Sequence, residues 1–526
     1  MLTLSSASLK LYTRKDCIPL SSLSLLSGES GAAQIYVTGK PYARIPVTVE
    51  SSLDAAAYAV HRVKGDFLRP DDGYYERRED CMYPDLLTPA PMLSLNAVGQ
   101  GTLYIEIPAT AAVGEHTVTV RVGEESISFP VTVHKERLAE NDLILTHWLY
   151  SDCICNYFGV PFASEEYYAH LRDFLASYTK QGNNTLLVPA LTPPLDTLRG
   201  AERLTTQLVR VCLENGEYSF DFTDLDRYIA LAREFGIQYF EFSHLFTQWG
   251  GACCPKVIVC EDGEEKKCFG WDTSATDDEY RRFLAAYLEE LSAHLDALGI
   301  KESCFFHVTD EPRAQHIEHY SELSAFVKRH TGGATVMDAV SHYECLSGGM
   351  DLPVVSMNSA DLDKFLPLAR KLIYYCVEVD QDYYPNRYID MPTQRSEVLG
   401  CMLYLTGAQG FLHWGYNFYN ERYSRYPIDP YVSATAPTPE GHGGLPAGDC
   451  FLVYPTESGV NYTLRYFSVM RAYEDYRLLK TLEAKIGRAA VLDLLTAEGV
   501  TRVNAYPRSA EWQIDFRRRV REMILA

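Results

Sequence analysis

Thr276-Asp-Asp-Glu-Tyr-Arg-Arg-Phe-Leu-Ala-Ala-Tyr-Leu-Glu-Glu-Leu-Ser-Ala-His-Leu-Asp-Ala-Leu-Gly299 is followed, after Ile300-Lys-Glu302, by Ser303-Cys-Phe-Phe-His-Val308 and then Thr309-Asp-Glu-Pro-Arg313. In the first segment Leu284, Tyr287, Leu288, Leu291, Leu295 and Leu298 recur at helical spacing. Thr276 and Glu279 read as a capping box, each side chain satisfying the other's free backbone N–H, and Gly299 suits the C-terminal cap. The second segment is a short apolar run of buried-strand length. An amphipathic helix leading directly into an apolar strand is the repeating unit of a parallel sheet.

The unit recurs on both sides. Apolar strands are expected at Leu143–Trp148, Thr185–Pro189, Gln238–Ser243, Ser303–Val308, Ala334–Ala339, Pro353–Ser356, Leu372–Cys376 and Gly410–Trp414. Helices lie between them, one carrying Tyr167, Leu171, Phe174, Leu175 and Tyr178, another Leu225, Tyr228, Ile229, Ala232 and Phe235, closed by Gly236. Eight strands alternating with helices predict an α/β fold, a TIM-like (β/α)8 barrel over residues 140–460. The competing open sheet would carry a Gly-rich phosphate turn after its first strand, and His147-Trp-Leu-Tyr-Ser-Asp152 has none.

Ahead of the barrel the period is two. His116–Val122 alternates strictly, as do Ser126–Phe129 and Val131–Val133 around Pro130, which suggests an edge or bulge. With Ala33–Val37, Ile45–Val49 and Leu103–Ile107 these strands predict an N-terminal β-sandwich over residues 1–135, joined by the polar linker 134–142. Residues 461–526 read as a C-terminal helical segment packed on the barrel, with helices near 462–485, 488–496 and 508–524. The Gly/Pro/Thr loop 433–449 is long enough to be a site wall.

The 526 residues carry a net charge of −22, and no Lys/Arg cluster exceeds Arg517-Arg518-Arg519, which is expected on a solvated helix face. No nucleic-acid partner is expected. No apolar run reaches the roughly 18 residues of a membrane span, so no membrane partner is expected either. The start lacks a basic-then-apolar leader, which points to the cytoplasm. The 14 cysteines lack paired C-x-x-C spacing and read as reduced thiols; Cys253, Cys254, Cys260 and Cys268 share one loop, which keeps a metal there as an alternative. No cofactor and no metal are expected. The oligomeric state stays open.

A barrel builds its site at the C-terminal ends of its strands. Those ends carry His147 and Trp148, Pro189, His244 with Trp249, His307 with Asp310 and Glu311, Asp338, Asn358, Tyr374 and Tyr375, and Trp414 with Tyr416. Aromatic faces stack on a sugar's C–H face while imidazoles, amides and carboxylates bind its hydroxyls, so the mixture suits a glycan. At Asp310-Glu311-Pro312 two adjacent carboxylates sit on a stiff bend. Pro312 keeps Glu311 out of helical geometry and suits the first turn of the next helix. Mutual repulsion raises one of the two pKa values, which makes an acid usable near neutral pH. His307 either supports these carboxylates or belongs to the core.

His307-Val-Thr-Asp-Glu-Pro312, Phe411-Leu-His-Trp-Gly-Tyr-Asn417, Gly448-Asp-Cys-Phe-Leu-Val-Tyr-Pro455 and Arg471-Ala-Tyr-Glu-Asp-Tyr476, in this order, resemble glycoside hydrolase family 123 and its wider relatives over roughly residues 140–485. The resemblance implies a β-N-acetylgalactosaminidase using substrate-assisted catalysis. Glu311 would then be the general acid/base, and Asp310 would orient the 2-acetamido group as its carbonyl oxygen attacks the anomeric carbon. Tyr416, then Tyr375, is the candidate for holding that group. Two positions depart from the family pattern: Tyr473 and Cys450 stand where glycines are familiar. Alternatives are a barrel glycosidase for a sugar without an acetamido group and a sugar-binding protein without catalysis.

Overall fold

The computed structural model describes residues 1–65, 71–76, 78–375, 382–438 and 444–526. Eight parallel strands form the centre: β1 Ile144–His147, β2 Thr185–Val188, β3 Tyr239–Phe242, β4 Cys304–Phe306, β5 Thr335–Val340, β6 Leu352–Ser356, β7 Leu372–Tyr374 and β8 Gly410–His413. They coincide with the eight expected from the sequence; Cys376 of the expected seventh strand and residues 439–443 of the long loop lie outside the described residues. Each strand hydrogen-bonds its sequence neighbour from β2 through to β8, and β8 pairs with β1. The sheet therefore curls into a nearly closed barrel.

The remaining seam, between β1 and β2, is bridged largely by side chains. Asn184 accepts the Leu145 N–H on Oδ1 (2.9 Å), donates Nδ2 to the Leu143 carbonyl (2.8 Å), and its own N–H reaches the Leu145 carbonyl (3.1 Å). One step along, the Tyr178 hydroxyl accepts the His147 N–H (3.0 Å) and donates to the Thr185 carbonyl (2.6 Å). An amide and a phenol thus stand in for missing ladder bonds, which buried backbone groups require. Replacing Asn184 with Ala takes the acceptor from the buried Leu145 N–H and Thr185 hydroxyl, while the Leu143 carbonyl keeps only the Asn141 amide. At about 1–3 kcal/mol per orphaned group, the expected result is a clearly lower urea midpoint for Asn184→Ala, with Asn184→Asp intermediate because it keeps the Oδ1 acceptor.

The helix at Asp278–Ala297 starts one residue later than the capping-box reading implies. Asp277 is the cap, its carboxylate accepting the Glu279 and Tyr280 N–H groups, and Thr276 lies outside. Two insertions interrupt the strand–helix alternation. Arg210–Glu214 and Glu217–Asp221 follow β2, Val257–Glu261 and Glu264–Phe269 follow β3, and the two hairpins zip into one four-stranded sheet. Their turns, Asn215-Gly216 and Asp262-Gly263, have both central residues at positive φ, as two-residue hairpins of this kind require.

The N-terminal strands form two sheets, one of seven strands and one of five, that share a single apolar cluster including Ile35, Leu103, Ile105, Val118, Val120, Phe129 and Val131. Glu125–Arg137 runs unbroken through Pro130. Its parallel neighbour Leu23–Ser27 begins opposite Val131, so the proline sits where that side of the strand has no partner. The strand also extends into the expected linker. Gly459–Thr463 and Tyr454–Thr456 complete the seven-stranded sheet from the far end of the chain. The helix Leu464–Ile486 follows directly, Phe467 stacking on Tyr104 at 4.8 Å and Arg465 pairing with Asp85 through two contacts of 2.9 Å. Arg517 is a correction: it is buried against Asp475 (2.6 Å) and Glu397 (2.9 Å), because the last helix turns that face inward, while Arg518 stays exposed.

Candidate active site

Above β4 the chain climbs to the barrel mouth. Phe306 stacks on Phe242 at 5.0 Å and Phe305 on Tyr239 at 5.7 Å, which anchors the strand. The segment after β3 tracks it upward: Leu245 N–H donates to the His307 carbonyl, Phe246 N–H to that of Val308, and Trp249 N–H to that of Asp310 (3.0–3.1 Å). Gly251, at φ +68, permits this approach, since a Cβ there would lie 2.6 Å from Thr309 Cγ2. Trp249 and Glu311 both adopt the left-handed region, φ +61 and +45. Such strain in non-glycine residues persists only where the surroundings enforce it. Pro312 does not open the next helix as expected: a 3₁₀ turn begins at Ala314 and the helix at Ile317, because Glu311 turns the chain sharply first.

Asp310 and Glu311 line a cavity of about 290 Å³ together with Trp148, Trp414, Tyr374 and Tyr375. This is near the lower end of small-molecule sites, which run roughly 300–1,000 Å³. A hollow of about 430 Å³ between the N-terminal sheets and the C-terminal helices is larger, but it lies away from the strand ends. The Tyr374 hydroxyl donates to Glu311 Oε1 at 2.6 Å. Burial, then the charge of Glu311, then that of Asp338, push the Asp310 carboxyl well above the usual carboxylate range, with His307 opposing. The proton that repulsion forces onto the pair is therefore drawn to Asp310.

Two of the tryptophan walls are pinned by carboxylates. Trp148 Nε1 donates to Glu241 Oε2 (2.8 Å), and Trp414 Nε1 to Asp449 Oδ2 (3.0 Å). Glu241 also faces His307 Nε2 at 3.9 Å, and Asp338 meets His307 Nδ1 at 3.3 Å. Burial alone would lower the His307 pKa, but these two acids carry it up to about 9. Asp338 further accepts the Val308 N–H (3.1 Å) and the Tyr320 hydroxyl (2.6 Å). A positive imidazolium thus sits below Asp310, held between the side chains of Asp338 and Glu241.

The sequence-predicted residues divide accordingly. Trp148, Trp249, Asp310, Glu311, Tyr375 and Trp414 line the cavity. His147, His244, His307 and Asp338, expected as substrate contacts, lie in the buried layer underneath, at 0–1% exposure. His147 accepts from Arg387 on Nδ1 (3.3 Å) and meets the Tyr473 hydroxyl with Nε2 (3.0 Å), so both nitrogens serve the core. Asn358 is tied to the Ser356 hydroxyl and lines no part of the cavity. Tyr416 is also a correction: its hydroxyl meets Ser177 Oγ at 2.7 Å and its ring packs on Tyr178, on the outer side of the barrel wall. Tyr473 and Cys450, the departures from the family pattern, are buried and line no part of the cavity.

Ligand atoms of His244, His307 and Asp338 lie within 4.8 Å of one another. The two imidazoles stack at 4.3 Å with planes 15° apart. An ion in the plane of one ring would stand outside the plane of the other, so their lone pairs do not converge as a metal requires. Burial, then His307, lower the His244 pKa and keep it neutral. The described cysteines form no disulfide, and the Cys254 thiol donates to the Ser274 carbonyl.

Sequence reasoning missed Glu241, Asp196, Gln248, Arg313, Arg387 and Arg422. Glu241 was detectable, since a glutamate inside Tyr239-Phe-Glu-Phe242 is a charge in an apolar barrel strand and needs a buried partner. Asp196, Gln248, Arg313 and Arg422 come from loops that no period marks.

A parallel barrel with a carboxylate pair in a tryptophan-walled cavity at its mouth, together with a match of residues 148–482 to the glycoside hydrolase 123 catalytic domain, defines a glycoside hydrolase. The match spans more than half of the chain. The chain belongs to glycoside hydrolase family 123. Among solved structures, a family 123 glycoside hydrolase from Clostridium perfringens, studied for glycolipid glycan hydrolysis, aligns with 100% of this chain and 98% of its own at a TM-score of 0.71 and 14% identity. At that identity the likeness speaks to the fold. A family 5 mannosidase from Rhizomucor miehei aligns with 68% of this chain and 95% of its own at a TM-score of 0.32 and 12% identity, too low to carry an argument. No curated protein matches. Family membership implies a glycan substrate, and among the described residues no helix is long and apolar enough to cross a membrane.

Proposed function

We propose that the chain removes terminal β-linked N-acetylgalactosamine, or a related N-acetylhexosamine, from glycans by retaining, substrate-assisted catalysis. The observation that carries this reading is that two cavity acids, Asp310 and Glu311, are consecutive in the chain. The usual two-carboxylate scheme sets its acids across the sugar, about 5–9 Å apart. Neighbouring acids instead suit a substrate that brings its own nucleophile.

In the first step Glu311 gives its proton to the glycosidic oxygen. The acetamido carbonyl oxygen attacks the anomeric carbon, the bond to the leaving oxygen breaks, and an oxazolinium ion forms. Asp310 accepts the amide N–H and balances the positive charge. In the second step Glu311 takes a proton from water, whose oxygen attacks the same carbon and reopens the ring with the β configuration restored. Before substrate binds, the shared proton sits on Asp310; the incoming amide N–H gives the Asp310 carboxylate a donor and sends that proton to Glu311. Tyr375 holds the acetamido group in place of Tyr416: it lines the cavity, and its buried hydroxyl has no partner among the described residues. The two N-terminal sheets act in this reading as a β-sandwich that buttresses the barrel through the Arg465–Asp85 pair.

Asp196 motivates a second reading, since a third carboxylate in the same cavity would serve a conventional glycosidase acting on a sugar without an acetamido group. A substrate panel separates the two. The expected result is release of nitrophenol from the aryl β-N-acetylgalactosaminide, inhibition by the matching thiazoline, and a β-anomer as first product by NMR. Equal turnover of the aryl β-galactoside overturns the substrate-assisted reading.

A further inference from the structure

Asp196 and Gln248 are supported more elaborately than a cavity rim requires. Asp196 lies beyond β2 with φ +43, a conformation that asparagine and aspartate visit only as single residues. Three hydrogen bonds from two other loops hold it there. Its N–H donates to Gln248 Oε1 (2.6 Å), its Oδ2 accepts the Tyr423 N–H (3.0 Å), and its carbonyl accepts the Ser424 hydroxyl (2.7 Å). The first bond also settles which way the Gln248 amide points, because an N–H needs an oxygen opposite it. That leaves Nε2 as a donor. Gln248 is 5% exposed and lines the cavity, and Nε2 finds no acceptor among the described residues. A buried amide donor without a partner is costly enough to need a reason. Burial pushes the Asp196 carboxyl up to about 6, with the Tyr423 N–H, Arg203 and Arg422 opposing, so it is an anion at neutral pH.

An anionic acceptor and an orphan amide donor, joined by a hydrogen bond and lining the cavity that holds Asp310 and Glu311, match the donor and acceptor capacity of hydroxyl groups. We infer that Asp196 and Gln248 form a hydroxyl-reading subsite, in which Asp196 accepts from and Gln248 donates to ring hydroxyls of the bound sugar away from the anomeric carbon. This rests on the substrate class proposed above. A site built to hydrogen-bond a hydroxyl rejects the analogue lacking it strongly, because the protein groups are then left unpaired. The Asp196–Gln248 pair would thus set which sugar is accepted, while Asp310 and Glu311 set what is done to it.

The test is a coupling experiment on the full chain. kcat/KM is measured for wild type, Asp196→Asn and Gln248→Leu on aryl β-N-acetylgalactosaminide and on its 3-, 4- and 6-deoxy analogues. For wild type, one deoxy position is expected to lower kcat/KM by about 10²-fold or more. Asp196→Asn is expected to cost about as much on the parent sugar yet little further on that analogue, because the two losses describe one interaction. Penalties that simply multiply at every position overturn the inference while leaving the proposed function intact. So does a loss on Asp196→Asn that is the same for all analogues, which instead marks Asp196 as a reacting group. If wild type turns over none of these sugars, the proposed substrate class fails first. Titration of free N-acetylgalactosamine and galactose by NMR then decides the subsite: weaker binding to both variants supports it, and unchanged binding overturns it.

Discussion

Glu311→Gln is expected to lower kcat on an alkyl or oligosaccharide β-N-acetylgalactosaminide by about 10²–10⁴-fold, the usual worth of a positioned general acid. The same change costs less when the leaving group is nitrophenolate, which departs without a proton. The contrast between the two leaving groups isolates proton donation from substrate binding, since both share the sugar. Geometry motivates the prediction: Glu311 lines the cavity, its backbone is held at φ +45, and the Tyr374 hydroxyl fixes one carboxylate oxygen at 2.6 Å. The amide of Gln keeps the shape and loses the proton. Steady-state kinetics on the two substrates is the check, and an undiminished kcat on the alkyl glycoside would remove Glu311 from the mechanism.

Asp310→Asn carries the second large effect, and it moves activity and stability in opposite directions. Activity is expected to fall by about 10²–10³-fold, the range found when one preorganised stabiliser of developing charge is removed. Stability is expected to rise at neutral pH. Asp310 has its carboxyl pushed up by burial and by Glu311 and Asp338. A group raised above its unfolded value contributes its full stability below the ordinary carboxylate range and loses it as pH climbs through the folded value. At pH 8 the unfolded chain ionises this carboxyl freely while the buried site resists it, a loss of stability that Asn does not suffer. Thermal unfolding should show a higher midpoint for Asp310→Asn at pH 8 and nearly equal midpoints at pH 4. Equal midpoints at both pH values would mean that the cavity solvates Asp310 well enough to leave it an ordinary acid. A gain in stability on loss of a functional group is the common signature of an active site.

His307 has the opposite sign. Its pKa is raised to about 9 by Asp338 and Glu241 against the cost of burial, so its stabilising charge is complete below about 6.5 and fades as pH rises toward 9. Both groups make the site region weaker in alkali, one by resisting a charge and the other by losing one.

Much of the barrel was legible because the signals are local. Apolar runs of strand length, helical spacing of Leu284 through Leu298, and Asp-Glu-Pro directly after the fourth strand are all patterns within a few residues. The hairpins at Asn215-Gly216 and Asp262-Gly263 were equally local and passed unread, since charged strands such as Glu264-Glu-Lys-Lys267 look like loop despite a turn that only a hairpin needs. What was not legible was the direction of each side chain at the strand ends. Residues of like chemistry at the strand ends part company there: Trp148 walls the cavity and His147 lies under it, Tyr375 lines it and Tyr416 faces Ser177. Composition marks both members of each pair as suitable.

The sequence by itself determined the strand–helix alternation, the eight strands and the placing of two adjacent acids at the end of the fourth, because backbone propensity and hydrophobic period act over short stretches of chain. Only the tertiary structure decided which polar groups meet the cavity and which support it from below. Strand tilt, the bridged β1–β2 seam and loops from three different strand ends fix those directions jointly. The Asp196–Gln248 contact joins two loops whose contributing residues are 52 positions apart, and no pattern along the chain encodes a hydrogen bond across that distance.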